Sequence, residues 1–353
     1  MAPYTEHRDR LVLEGVPRLG FDRFPNPFCG ALHAWLEFTG DPTPYDYLMG
    51  VSGAAFRRTW NRDDGGNVDL MDFAPEPHRR AFEALGYAWS EVPGDRDAFL
   101  AAVRESLAAD RPVIAFGIVG PPEACLITGY DRGGDVLLGR SFFQDVPDLA
   151  GAAGTEPSGY FRQERWHAET DNHAGFAALV VGERGPRPDA REVLASALEW
   201  AVRLERTPLW EGIPEHVCGL AAYEAWADGL AIAADYPPGD AQVLGLRQMV
   251  HADQTTMLVE RRDAARFLRR MADAAPEAGA SLCAAADAYE EVANQAPGVW
   301  LWGWGFDIGP EVGHDLAKPG VREGIAKHVR KAQEAEERAV EHLEQALQDL
   351  ARS

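Results

Sequence analysis

The stretch Asn26-Pro-Phe-Cys-Gly-Ala-Leu-His-Ala-Trp-Leu-Glu-Phe-Thr-Gly40 places a cysteine behind a proline-containing loop, at the head of an apolar helical run. Amides at a helix N-terminus carry partial positive charge, which favours a thiolate and lowers the thiol pKa. That is where a nucleophilic cysteine gains most. The same position also suits Cys29 as a small buried apolar side chain, the commoner fate of a free cysteine. Both readings stay open. The other cysteines, Cys125, Cys218 and Cys283, are isolated and form no C-x-x-C pair. They imply neither a disulfide framework nor a zinc site.

A nucleophilic thiol needs a proton acceptor. His33 lies one helical turn after Cys29, where a side chain points sideways rather than across a cleft. His167 and His173 flank a late apolar run and are rim candidates, set in a polar loop. His251, Asp253 and Glu260 invite a metal reading, yet match no H-E-x-x-H-type spacing, and a solvated helix face is the simpler account. No metal or other cofactor is expected. Trp300-Leu-Trp-Gly-Trp-Gly-Phe306 is either a stacking wall for a ligand or the packing of one domain on another.

The elements that must position these residues follow from periodicity. Apolar spacing predicts helices over 29–38, 76–85 and 96–109. Strand-like runs follow at 111–119, 124–130, 135–139 and 176–182, with an Asp131-Arg-Gly-Gly134 turn between the middle two. Helices first and an antiparallel sheet afterwards make an α+β domain. Gly185-Pro-Arg-Pro188 punctuates the chain, and helical stripes then run through 189–205, 217–234, 242–272, 281–296 and 321–351. The expected domains are 1–187 and 188–353, the second all-α. Glu336 interrupts the apolar stripe of the last helix, which is expected to pack along its own domain rather than form a coiled-coil dimer. The connection at 185–188 is too short for a flexible linker, so 1–187 alone is expected to be poorly soluble.

Taken in order, Cys29-Gly30, Leu48–Phe56, Leu126-Ile-Thr-Gly-Tyr-Asp131, Asp135–Gly139 and Tyr160–Trp166 resemble the papain-like cysteine peptidases of the bacteriocin-processing type. They resemble more closely the N-terminal domain of the butirosin-pathway acyltransferases. The resemblance covers roughly residues 10–185. It implies a papain-like fold and a cysteine-dependent acyl-transfer activity, as an acyltransferase or an amide or thioester hydrolase. The substrate would be a small biosynthetic molecule or a peptide, with a carrier-protein thioester among the donors. The family's histidine falls at Glu123, its Asp or Asn close to Arg140, and its oxyanion-hole glutamine at Arg23 or Asn26. Cys29 and Glu123 are therefore the catalytic candidates. Arg140, Asn26 and Gln144 are candidates for binding substrate or supporting the thiolate. Counting outward from the 131–134 turn suggests that Glu123 and Arg140 replace the catalytic pair with an ion pair. The alternatives are a catalytically lapsed relative that binds a small ligand or peptide in the same cleft, and a Cys29 acting without a histidine.

Composition limits the partners. Fifty-six Asp and Glu against 34 Lys and Arg leave a net charge of -22. Such a surface repels phosphate backbones, so nucleic acid and anionic membranes are disfavoured. Lysines occur only at 318, 327 and 331, which removes lysine amine chemistry from the first 300 residues. No apolar run approaches the length of a membrane helix, and the first ten residues have no signal-like apolar core. A cytoplasmic protein of open oligomeric state is expected.

Overall fold

The structure is a computed structural model that describes residues 9–62, 75–146, 149–167, 175–303 and 313–352, with the side chains of 301–303, 313 and 314 left aside. The chain divides into two compact units, Met1–Leu48 with Leu85–Arg187, and Met49–Ala84 with Pro188–Ser353. The junction at 187/188 is where the proline-rich punctuation lies. Residues 49–84, however, group with the helical unit rather than with the sheet, so the first unit is discontinuous.

The first unit is mixed α and β. Its strands are β1 (Leu11–Val12), β3 (Tyr87–Val92), β4 (Val113–Phe116), β5 (Ala124–Asp131), β6 (Val136–Arg140), β7 (Gly154–Thr155), β8 (Phe161–Gln163) and β9 (Ala177–Arg184); β2, in the other unit, is described below. They form one antiparallel sheet in the order β3-β9-β4-β5-β6-β8-β7, with β1 joining β5 at Leu11↔Tyr130. β3 escapes a reading by apolar run because it is largely exposed. A register shift between Ile127 and Gly129 sets Leu126 opposite Arg140.

Two helices pack on this sheet, α1 (Pro27–Phe38) against β5 and β4, and α4 (Arg96–Ala108). Proline at the first turn, Asn26 as N-cap and Gly40 at φ +83° just past the C-cap fix the ends of α1. The helix is apolar almost all round, and Phe28, Cys29, Leu32, Trp35 and Leu36 are all buried. Trp35 also donates its indole N–H to the Pro112 carbonyl at 2.8 Å.

The second unit is largely helical. It holds α3 (Glu76–Leu85, less its last residue), α5 (Ala190–Arg206), α6 (Leu220–Gly229), α7 (Ala241–Ala272), α8 (Gly279–Ala293), α9 (Ala296–Gly303) and α10 (Pro319–Arg352). The unit boundary at 48/49 falls inside α2 (Tyr45–Ser52). A two-stranded pairing of β2 (Thr59–Trp60) with β10 (Val217–Cys218) ties the 49–84 segment into this unit. Trp60 stacks on Trp226 of α6, and the Arg261 guanidinium of α7 donates to the carbonyls of Ala55, Phe56 and Arg57.

The interior charges explain the interrupted stripe of α10. Arg261 and Glu336 are both completely buried and meet at 2.6 Å, while Arg261 also reaches Glu205 at 3.1 Å. The Tyr223 hydroxyl donates to the other oxygen of Glu336. Nearby, Arg57 pairs with Glu260 at 2.7 Å. Breaking a buried ion pair by removing one partner costs about 3–5 kcal/mol. Glu336 is therefore a specified partner at an otherwise apolar position. Its neighbours Ile325, Val329, Ala332, Ala339 and Leu343 fill the core of the same unit, so this seam is occupied within the chain.

Candidate active site

Cys29 is the third residue of α1 rather than the first, because the helix begins at Pro27. Its backbone N–H is already taken, donating at 3.0 Å to the Asn26 side-chain oxygen. That bond fixes the Asn26 amide: the oxygen faces the Cys29 N–H, so the nitrogen is the other end. Asn26 Nδ2 is buried and meets no acceptor among the described residues. The Asn26 backbone N–H in turn donates to the Tyr45 hydroxyl at 3.0 Å. A buried amide donor therefore stands unused in the turn that carries the thiol, and leaving such a donor unpaired costs about 1–3 kcal/mol.

The loop after β6 reaches this turn. A Cβ at Gly30 would lie 2.7 Å from the tip of the Phe142 ring and 2.7 Å from Phe24, so only glycine fits beneath them. Phe21 leans on Phe142 and Phe143 with ring centroids at 5.0 and 5.3 Å. Cys29, the residue before Gly30, has no exposed surface.

Gln144 holds the loop in shape. Its oxygen accepts from Ser141 N at 3.1 Å, and its amide donates to the Gly159 carbonyl at 3.0 Å. Both ends of that amide are engaged in the backbone. Gln144 is thus a clamp for the segment bearing Phe142, in place of the expected ligand or thiolate contact.

Arg140 departs from expectation in the same way. Its guanidinium donates to the carbonyls of Val16 and Gly159 and lies 4.1 Å above the Tyr160 ring. Burial lowers its pKa from the usual guanidinium value. The ion pair with Glu123 is not formed. Arg140 lies level with Leu126, three residues short of Glu123, because Glu123 stands further along its strand from the turn than Arg140 does. Glu123 itself is half-buried at the head of β5, its N–H bonded to Pro121 O at 2.6 Å. It occupies the same end of the sheet as the loop that carries Phe142.

The histidines sort by position. His33 Nδ1 lies 2.8 Å from the Thr43 carbonyl and its ring meets Tyr45 edge-on, so it engages the loop after α1. His167 packs edge-on against Trp166, whose indole donates to Gly134 O at the β5–β6 turn. That is the opposite end of the sheet from Phe142. His173 lies outside the described residues, as does the end of the aromatic run from Trp300. Of the cysteines, Cys125 is buried and its thiol pKa raised, burial pushes Cys218 up to about 12, and Cys283 is exposed.

The imagined metal ligands of α7 are not brought together. His251 sits between the Trp226 indole N–H at 2.8 Å and the Tyr236 hydroxyl at 3.2 Å, and burial pushes its pKa down to about 3. Glu260 belongs to Arg57. Among the described residues no three His, Cys, Asp or Glu side chains are grouped to hold a metal ion.

Sequence reasoning missed the buried cluster in the helical unit. Burial and the neighbouring Glu336 carboxylate raise the Glu205 pKa well above the usual range. The signal available was Glu336 itself, a charge in an apolar stripe. A cavity of about 790 Å³ also lies elsewhere, lined by Trp35, Phe38, Tyr87, Asp110, Arg111 and Arg184. It opens at the C-terminal end of α1, about 13 Å along the helix from Cys29 by its rise per residue. No known family model matches the chain, and no curated protein matches it by sequence.

Proposed function

We propose that the first unit is a papain-like domain acting as a cysteine-dependent acyl-transfer enzyme, with Cys29 as nucleophile. The observation that carries this reading is the buried, unused Asn26 amide donor in the turn that holds Cys29. A preorganised donor beside a nucleophile is what a developing oxyanion needs. The packing of α1 on β5 in an antiparallel sheet, with Glu123 at the head of β5, supports the same reading. In the reaction, Glu123 takes the thiol proton and the sulfur lone pair forms an S–C bond to the acyl carbon. The donor's C–S or C–N bond then breaks, and the proton goes to the departing thiolate or amine. Water or an amine reverses the sequence and releases the acyl group.

The complete burial of Cys29 favours a second reading, a relative without activity that holds a small ligand or peptide in the same place. Alkylation separates the two. Cys283 is exposed and reacts whatever the state of Cys29, so the measurement uses a Cys283→Ser background. The rate of Cys29 alkylation by iodoacetamide is followed against pH and mapped by mass spectrometry. An inflection at least about one unit below the free-thiol value of ~8.5 is expected for acyl transfer. A folded protein whose Cys29 stays unreacted, or inflects at or above that value, points to the binding reading.

A further inference from the structure

The aromatic cover over Gly30 has a chemistry of its own. Phe142 and Phe24 seat directly on Gly30, the residue after the thiol. Phe21 packs on Phe142 and Phe143 while keeping 44% of its surface exposed. Val146 N–H bonds to the Phe143 carbonyl and Leu149 N–H to Val146, and both side chains are exposed. Three of the six large apolar side chains exposed in the described residues, Phe21, Val146 and Leu149, thus gather in this one place. An apolar path runs from solvent through Phe21 and Phe142 to the turn of Cys29. Of the cations near it, Arg140 is committed to carbonyls and Arg18 to Asp145 at 2.6 Å, while Arg23 lies 4.9 Å from the centroid of the Phe24 ring. The only unused polar group in the turn is an uncharged amide, suited to a carbonyl oxygen and not to a charged acyl tail.

We infer that the acyl group accepted at Cys29 is apolar, an unbranched aliphatic or aromatic acyl chain seated between Phe21, Phe142 and Phe143, with its carbonyl oxygen on the Asn26 amide. This rests on the acyl-transfer reading and names its substrate class. Each methylene buried against the rings is worth roughly a three- to fourfold gain. A short or polar acyl group gains nothing from the rings and does not hold them apart. Phe21, on the outside, selects by packing and takes no part in the bond changes.

The test uses the full chain carrying Cys283→Ser and two activated esters, p-nitrophenyl acetate and p-nitrophenyl hexanoate. Attack by the Cys29 thiolate forms the S–C bond, breaks the ester C–O bond and releases p-nitrophenolate with the electron pair. Intact-mass and peptide mapping locate the acyl group, and p-nitrophenolate release gives the rate. The expected result is hexanoylation of Cys29 at least about tenfold faster than acetylation, falling to within about threefold in Phe142→Ala. Phe21→Ala is the second variant, since its half-exposed ring can be removed with little risk to folding. It should cut the preference for hexanoate over acetate at least about threefold. Equal rates for the two esters at Cys29 would refute the apolar class and leave acyl transfer standing, as would a preference that survives both substitutions. No acylation of Cys29 by either ester would refute acyl transfer, and this inference with it.

Discussion

Asn26 illustrates what a single residue decides at this site. One end of its amide caps α1 and orients the turn, and the other end meets no acceptor among the described residues. Glu123 is the opposite case, a position where side-chain identity limits the chemistry. A carboxylate is a weak base near neutrality, whereas imidazole titrates there. Glu123→His should therefore raise the rate of Cys29 alkylation at pH 7 by about tenfold or more, with a new inflection near pH 6.5. An unchanged rate in the folded variant would mean that position 123 does not face the thiol.

Two buried groups of the helical unit contribute to stability with opposite pH dependence. The Glu205 pKa is raised in the folded state, so the native chain holds a proton that the unfolded chain releases above about pH 4.5. Its stabilising share is complete below that pH and declines as pH climbs toward the folded value. His251 works in the other direction. Its folded pKa of about 3 lies below the unfolded 6.5, so its share is complete above pH 6.5 and is lost on acidification. By pH 5 that loss is about 2 kcal/mol. Urea melts between pH 5 and 9 should show Glu205→Gln flattening the alkaline limb. A limb identical to that of the parent would place the proton elsewhere.

At the scale of elements, much was legible from sequence. The helices at 190–206 and 241–272 and the strands at 124–131 and 136–140 fall close to where the sequence put them, because the helices bury a periodic apolar face and the strands are continuous runs buried on both faces. α1 was legible as well, though Pro27 starts it two residues earlier than the apolar run suggested, moving Cys29 into the third helical position. What escaped was set by partners distant in sequence. The register shift at Ile127 and Gly129 leaves no trace in the pattern of β5 alone, and even with it Arg140 stays three residues short of Glu123. Likewise Arg140 is a site candidate because the resemblance puts the family's Asp or Asn close to it, and Gln144 is a candidate four residues on. Their acceptors, the carbonyls of Gly159 and Val16, can be assigned only once the chain is folded.

For the whole molecule, the discontinuous first unit changes what a truncation does. A fragment of residues 1–187 retains 49–84 but lacks the partners of that segment, Trp226 for Trp60, Glu260 for Arg57 and Gln254 for Arg58. It should precipitate or lack a cooperative melt. A version joining Leu48 to Leu85 through a short Gly/Ser linker and ending at Arg187 should be more soluble and unfold in a single transition. If both fragments behave alike in solubility and thermal unfolding, the division of the chain is not an energetic one.

The same discontinuity governs what happens on the ribosome. Arg57 and Arg58 are made early, whereas the helix bearing Glu336, which anchors Arg261 beneath the carbonyls of 55–57, comes last. At roughly 5–20 residues per second, the chain beyond residue 188 takes on the order of 10–30 s to synthesise. During that interval two arginines and a tryptophan built for an interior are held in water. A segment made early in this chain thus finds its partners only in helices made later.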